Sequence, residues 1–107
     1  MPAAYLQNEA ELDTLLKAES AFVMDCTAPW CGPCKVVAPL IDKLADEYSD
    51  RAKVMKVNLD DNQGIAKRFG IRSIPAVIFF SNGEVAETIV GKKSYEEYSG
   101  ALEKYLA

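Results

Sequence analysis

The sequence predicts an α/β domain in which a mixed central sheet of five strands is flanked by about four helices. Apolar residues alternate between period-two and helical spacing, giving elements in the order βαβαβ and then αββα. Strands joined through helices run parallel. The last two strands are separated only around Asn82-Gly83, a tight-turn pair, and run antiparallel. The 107 residues are read as one domain spanning 1–107, because a chain of this size buries only about 60 to 70% of its extended surface and supports no second core.

The first strand is placed near Ala3 to Leu6. Asn8 and Glu11 make a capping-box arrangement ahead of Leu12, Leu15 and Leu16, so the first helix spans about Glu9 to Lys17. Ala21 to Cys26 is dense in apolar and β-branched residues and suits a central strand, apart from the carboxylate of Asp25. The next helix runs from about Pro33 to Tyr48, with Val37, Leu40, Ile41, Leu44 and Tyr48 on one stripe and Lys43, Asp46 and Glu47 opposite. Pro39 interrupts it, and because the periodicity continues past it the expectation is a kink, not an end. Ala52 to Leu59 is a third strand, Asn62 to Phe69 a short helix, and Ile71 to Pro75 a loop. Ala76 to Phe80 and Glu84 to Val90 form the hairpin. Ser94 with Glu97 caps a last helix whose buried face holds Tyr98, Ala101, Leu102 and Tyr105.

Composition narrows the function. Half of the residues are hydrophobic and 26% are charged, as in an ordinary globular domain. With 12 basic and 16 acidic residues the net charge is -4, which argues against nucleic acid as a partner held by bulk electrostatics. No apolar run approaches the roughly 18 residues of a membrane span, so no membrane association is expected. The N-terminus lacks the basic start and apolar stretch of a secretory signal, so the chain reads as cytoplasmic, although a form trimmed of its targeting segment would read the same. Three cysteines and no histidine exclude more. A disulfide-stapled scaffold wants an even, larger number, and structural zinc wants four ligands where Cys26, Cys31 and Cys34 supply three, so no metal is expected. Without histidine there is no Cys-His nucleophile or Ser-His-Asp triad. Thiol chemistry itself remains.

The sharpest constellation is Trp30-Cys31-Gly32-Pro33-Cys34-Lys35, a C-x-x-C where a strand gives way to a helix. Residues i and i+3 in a first helical turn bring their Cβ atoms to about 5 to 6 Å, and modest adjustment reaches the roughly 3.5 to 4.5 Å of a disulfide. Gly32 relieves crowding at the turn, and Pro33 sits where its missing N–H is tolerated. Only the thiolate attacks, and a thiol of pKa about 8.5 is roughly 3% ionised at pH 7. Ionising half of it requires a downward shift of about 1.5, or roughly 2 kcal/mol. A helix N-terminus supplies about 0.3 to 1 kcal/mol, and roughly 2 only when partly buried. First-turn N–H groups and the Cys34 thiol, donating to the Cys31 sulfur, are expected to make up the difference.

The chain resembles the thioredoxin family. The resemblance rests on this signature, on Asp25 six residues before the first cysteine, on Pro39 in the following helix, and on Lys56, Ile74-Pro75, the Asn82-Gly83 hairpin and Val90-Gly91. These features cover essentially the whole chain, in order. The resemblance implies the thioredoxin fold and a general protein-disulfide reductase. Cys31 would be the attacking thiolate that forms a mixed disulfide with a client protein, and Cys34 the resolving thiol. A depressed pKa at the first cysteine is a property of the family itself. The partners implied are disulfide-bearing clients and a thioredoxin reductase as electron donor. The chain is expected to be monomeric and to need no bound cofactor.

Asp25 has two readings that can coexist. A carboxylate among Val23, Met24 and Cys26 is disfavoured unless paired, and desolvation raises its pKa. The resemblance places a proton-relay aspartate here, acting on Cys34. The structural alternative is a salt bridge to Lys56 on the neighbouring strand. For Ile74-Pro75 the base rate favours a trans bond, whereas the resemblance implies a cis bond set against the C-x-x-C, with the backbone of Ile74 free to pair with an extended substrate. Trp30, Gly32, Pro33, Ile74, Val90 and Gly91 would form an apolar platform around the sulfur. Cys26 reads as a small buried hydrophobe, on the opposite side of the strand from Asp25; a regulatory third thiol is the alternative. Thr27 and Lys92 depart from the common family pattern, and Lys92, with Lys93 and Lys35, would bias the rim toward acidic partners.

Two competing functions remain. An oxidant or isomerase domain usually carries histidine between the cysteines and an export signal, neither of which is present. A binding module would use the same platform with incidental thiols, and acceleration of insulin reduction discriminates against it.

Overall fold

The computed structural model describes residues 2–106. Its elements run β1 (Ala4–Tyr5), α1 (Glu9–Ala18), β2 (Ala21–Thr27), α2 (Gly32–Glu47), β3 (Lys53–Asn58), α3 (Gln63–Phe69), β4 (Ala76–Ser81), β5 (Glu84–Val90) and α4 (Tyr95–Glu103). They form a five-stranded sheet in the order β1-β3-β2-β4-β5. β1 and β2 pair with β3 in parallel, while β4 runs antiparallel to both β2 and β5. Helices α1 and α2 carry the chain back between parallel strands, and the two-residue tip reverses it into β5. The expectation that strands joined through helices run parallel fails at α3: β4 follows β3 through that helix but runs antiparallel to β2, because α3 and the loop after it leave the chain at the end of the sheet where β3 finished, with Ala76 entering opposite Cys26.

Local chemistry sets the element ends. The Asn8 side chain accepts from the N–H of Glu11, and that of Ser94 from the N–H of Glu97, so both caps read from sequence are made. Asn82 (φ 52°) and Gly83 (φ 85°) turn the hairpin. A Cβ on Gly83 would lie 2.9 Å from the Leu16 carbonyl oxygen, so glycine is required there by both conformation and space. α2 continues through Pro39. Tyr105 is a correction: α4 ends at Glu103, and Tyr105 lies beyond the helix, donating its hydroxyl to Glu87 at 2.8 Å. Helical period fails there because the chain has left the helix.

Both sheet faces are covered. One packs Val23, Val54, Val77 and Phe79 under Val37, Ile41 and Leu44 of α2 and Tyr98, Ala101 and Leu102 of α4. The other packs Phe22, Met24, Cys26, Met55, Val57, Ile78 and Phe80 under Leu12 of α1 and Ile65 of α3. β2 is central and buried on both sides, so its side chains alternate between the two cores. No helix among the described residues is long and apolar enough to cross a membrane.

Candidate active site

β2 ends at Thr27, and a short loop delivers Cys31 to the N-cap position of α2. Cys31 and Cys34 are joined as a disulfide with Cα atoms 5.3 Å apart. The N–H of Cys34 donates to the Cys31 sulfur at 3.2 Å. Sulfur therefore takes the place of the usual capping oxygen and receives one of the amides that a helix start leaves without an internal partner. The same donor and the positive end of α2 act on the thiolate when the bond is reduced. Pro33 falls in the first turn, where no N–H is needed. Both cysteines are almost fully buried, while Gly32, Pro33 and Lys35 are exposed.

A second backbone segment reaches the sulfur. The Ile74-Pro75 bond is cis, as the resemblance implied and against the base rate. The Ile74 carbonyl oxygen lies 3.8 Å from the Cys31 sulfur. Gly91, at φ 92°, donates its N–H to the Pro75 carbonyl at 2.8 Å, and Val90 pairs with Ala76. The structure thus connects Cys31, Ile74, Pro75, Val90 and Gly91 through backbone contacts. Trp30 is 71% exposed, with its indole N–H donating to Asp60 at 3.2 Å, and Val90 is 51% exposed. Two large apolar side chains in water beside a reactive sulfur are candidates for partner contact.

Asp25 sits on β2 with 1% exposure, and its Oδ1 has no hydrogen-bond partner. Burial pushes its pKa up from 3.8 to about 7, opposed by the Lys56 ammonium and assisted by the Asp42 carboxylate. It shares its sheet face with Val23, beneath the α2 stripe on which Cys34 precedes Val37 and Ile41. The expected salt bridge from Asp25 to Lys56 is not made. The two residues are opposite each other in the β2–β3 register, yet Lys56 Nζ lies 2.8 Å from Asp42 Oδ1 on α2. Cys26 is buried among apolar side chains of the other face and is a free thiol. Burial first, and then the Asp25 charge, push its pKa up, which makes it a poor nucleophile.

Three residues escaped the sequence reading as site components. Asp42 follows a buried Ile41 on α2, and its partner is on another element, beyond any local period. Asp60 lies in the turn after β3 and is found only through Trp30. Tyr98 was read as core alone, although a buried tyrosine hydroxyl needs a partner. It donates to the Gly91 carbonyl at 3.2 Å and accepts from the Lys93 N–H at 3.3 Å.

The Thioredoxin family model matches residues 3–104. This chain belongs to the thioredoxin family. It is 48% identical over 93 residues to the M-type chloroplastic thioredoxin of Spinacia oleracea, covering 87% of this chain and 51% of that relative. The chain thus spans about half the length of the spinach protein. It is 42% identical over 92 residues to thioredoxin 1 of Synechococcus elongatus, covering 86% of each. Among solved structures, a single-site mutant of a thioredoxin from Halobacterium salinarum superposes with a TM-score of 0.91 at 31% identity, covering 99% of this chain and 92% of that one. Family membership and the Cys31–Cys34 disulfide together place a cysteine pair able to open and close at the head of α2.

Proposed function

We propose that the chain reduces disulfides in client proteins, with Cys31 as nucleophile, Cys34 as resolving thiol and Asp25 as the base that serves Cys34. The Cys31 thiolate attacks one sulfur of the client disulfide, forming a mixed disulfide and releasing the other client sulfur as a thiolate. Asp25 takes the proton of Cys34, whose thiolate attacks the Cys31 sulfur. The second client thiolate leaves, and the client has gained two electrons while Cys31 and Cys34 are left oxidised. A reductase returns the two electrons. The observation that carries this reading is the Cys34 N–H donating to the Cys31 sulfur at the head of α2, because it distinguishes two equally buried sulfurs: that of Cys31 caps the helix and receives a first-turn amide, while Cys34 belongs to the first turn itself.

The remaining parts have specific roles. Gly32 and Pro33 hold the two sulfurs in register. Lys56 tempers the charge of Asp25. Cis Pro75 sets the Ile74 backbone beside the sulfur, and an extended client segment pairs with that backbone, flanked by Trp30, Val90 and Gly91. The chain is proposed to work as a monomer. A dithiol that begins each cycle reduced suits a cytoplasmic compartment, where thiols are kept reduced. Chloroplastic is what the name of the spinach relative says of that protein.

The test is insulin reduction with dithiothreitol as the electron source. The parent chain accelerates it and Cys31→Ser abolishes the acceleration. Cys34→Ser holds clients as mixed disulfides on Cys31, readable by mass. Stopped-flow kinetics place Asp25: Asp25→Asn slows release of the mixed disulfide more than first attack, and removes a rise in the release rate as pH passes about 7. Insulin reduction that survives Cys31→Ser would overturn the reading.

A further inference from the structure

Lys56 stands opposite Asp25 in the β2–β3 register and is itself buried, so the two would be natural partners in an apolar interior. The ammonium is instead engaged elsewhere, 2.8 Å from Asp42 Oδ1. That same oxygen accepts the Ala3 N–H at 3.0 Å. Asp42 is thereby fixed from two sides, by the ammonium and by the backbone leading into β1. Across the strand, Asp25 Oδ1 is left buried without a hydrogen-bond partner. The choice of partner is clear in the geometry: the cation whose backbone faces Asp25 in the sheet register is held by the more exposed carboxylate of Asp42.

We propose that Asp42 is a positioning residue that keeps the Lys56 ammonium off Asp25 and so sets how readily Asp25 holds a proton. The inference rests on the reading of Asp25 as the base for Cys34. The physical argument does not depend on that role. A buried carboxyl paired with an ammonium stays ionised, and an ionised group with no proton affinity near neutrality is a poor acceptor. An unpaired one is protonated in acid and ready to exchange a proton near pH 7. Asp42 acts twice in the same direction, by occupying the cation and by adding a second negative charge nearby. The other groups around Asp25 offer no substitute cation. Tyr98 of α4 is neutral and its own pKa is raised, chiefly by burial and in part by Asp25. Cys26 points into the opposite core as a neutral thiol, Val77 on β4 is apolar, and Cys34 is held in the disulfide.

The experiment is a titration of the Asp25 carboxyl by carbon NMR in the oxidised protein. Asp42→Asn removes the charge while keeping an acceptor for the Ala3 N–H, and the Asp25 midpoint falls by about 1 or more as Lys56 turns to it. Asp42→Ser is a second neutral variant that also keeps an acceptor and gives the same direction if asparagine is not tolerated. Asp42→Glu restores the parent midpoint. In a Lys56→Met background Asp42→Asn produces a smaller fall, because no ammonium is released. An unchanged midpoint in the neutral variants overturns the inference, and so does an equal fall with and without Lys56, which would reduce Asp42 to a distant charge. The release rate of the mixed disulfide separates this inference from the reading beneath it. If the carboxyl midpoint falls and the pH profile of release moves with it, both stand. If the midpoint falls and the profile stays, the positioning by Asp42 stands and Asp25 is not the base.

Discussion

Asp25 and Cys26 are consecutive residues of β2, 1% and 0% exposed, yet the two sheet faces treat them differently. Asp25 faces the layer made by α2 and α4, where polar groups have been admitted into the core: Lys56 with Asp42, and the Tyr98 hydroxyl with the Gly91 carbonyl. Cys26 faces the layer made by α1 and α3, which is apolar and aromatic, with Phe80 in ring contact with both Phe22 and Phe69. Burial raises the pKa of both side chains. On the first face a neighbouring cation holds the shift to a value of use near neutral pH. On the second nothing does, and the thiol is chemically silent. Burial alone therefore does not mark a functional group; the charges within reach of it do.

The sharpest way to break this comparison is to move the carboxylate one residue along. Cys26→Asp places the same group at equal depth on the dry face, with no ammonium to meet it. The expected loss of stability at pH 8 is about 3 to 5 kcal/mol, the scale of an uncompensated buried charge. Against the roughly 5 to 15 kcal/mol that holds a domain together, this removes a large part of the margin. Protonation relieves the cost, so urea midpoints recover toward those of the parent at pH 4. Equal stability of the variant and the parent at pH 8 would show that the two faces do not differ in this way.

Removing the existing carboxylate is the complementary test. Asp25 has a folded pKa raised from 3.8 to about 7. The folded state therefore binds the proton more tightly than the unfolded chain. That contribution is complete below about pH 4 and is lost as pH rises to about 7, by as much as about 4 kcal/mol. Asp25→Asn lacks this loss. Its urea midpoint is accordingly higher than that of the parent at pH 8, and the advantage shrinks toward pH 4. A stability difference independent of pH would mean that Asp25 titrates normally despite its burial.

The difference between the faces also explains what could be read from the sequence. Period-two patterning places Asp25 and Cys26 on opposite sides of the sheet without any coordinates, and the C-x-x-C at a strand-to-helix junction already locates the reactive sulfur. Caps at Asn8 and Ser94 and the turn at Asn82-Gly83 are local chemistry, legible within four residues. What sequence could not settle is partner choice. Register alone pairs Lys56 with Asp25, but a third group on α2, brought in by the helix-on-sheet packing, takes the cation. Cis Ile74-Pro75 is likewise illegible from local rules and came only through resemblance. Tyr105 failed for the opposite reason, since its helical spacing continued after the helix had stopped.

The smallest effect should come from the Tyr98 hydroxyl, and it sharpens the comparison most finely because Phe is the residue the dry face would have used. Burial raises the Tyr98 pKa, so the hydroxyl keeps its proton and donates to Gly91 while accepting from Lys93. These two bonds pin the loop that carries Gly91, whose N–H in turn holds the Pro75 carbonyl. Tyr98→Phe keeps the ring in the core and deletes only the pin. Water can reach the exposed Lys93 side of the loop, so the loss is near that of one ordinary hydrogen bond, about 1 kcal/mol. Because the loop borders the proposed client groove and touches neither sulfur, the loss appears in KM, which rises about fivefold, while kcat stays close to the parent value. Steady-state kinetics on a peptide disulfide measure both. A fall in kcat at constant KM would show that the hydroxyl acts on the sulfur chemistry through Asp25 and not on the shape of the groove.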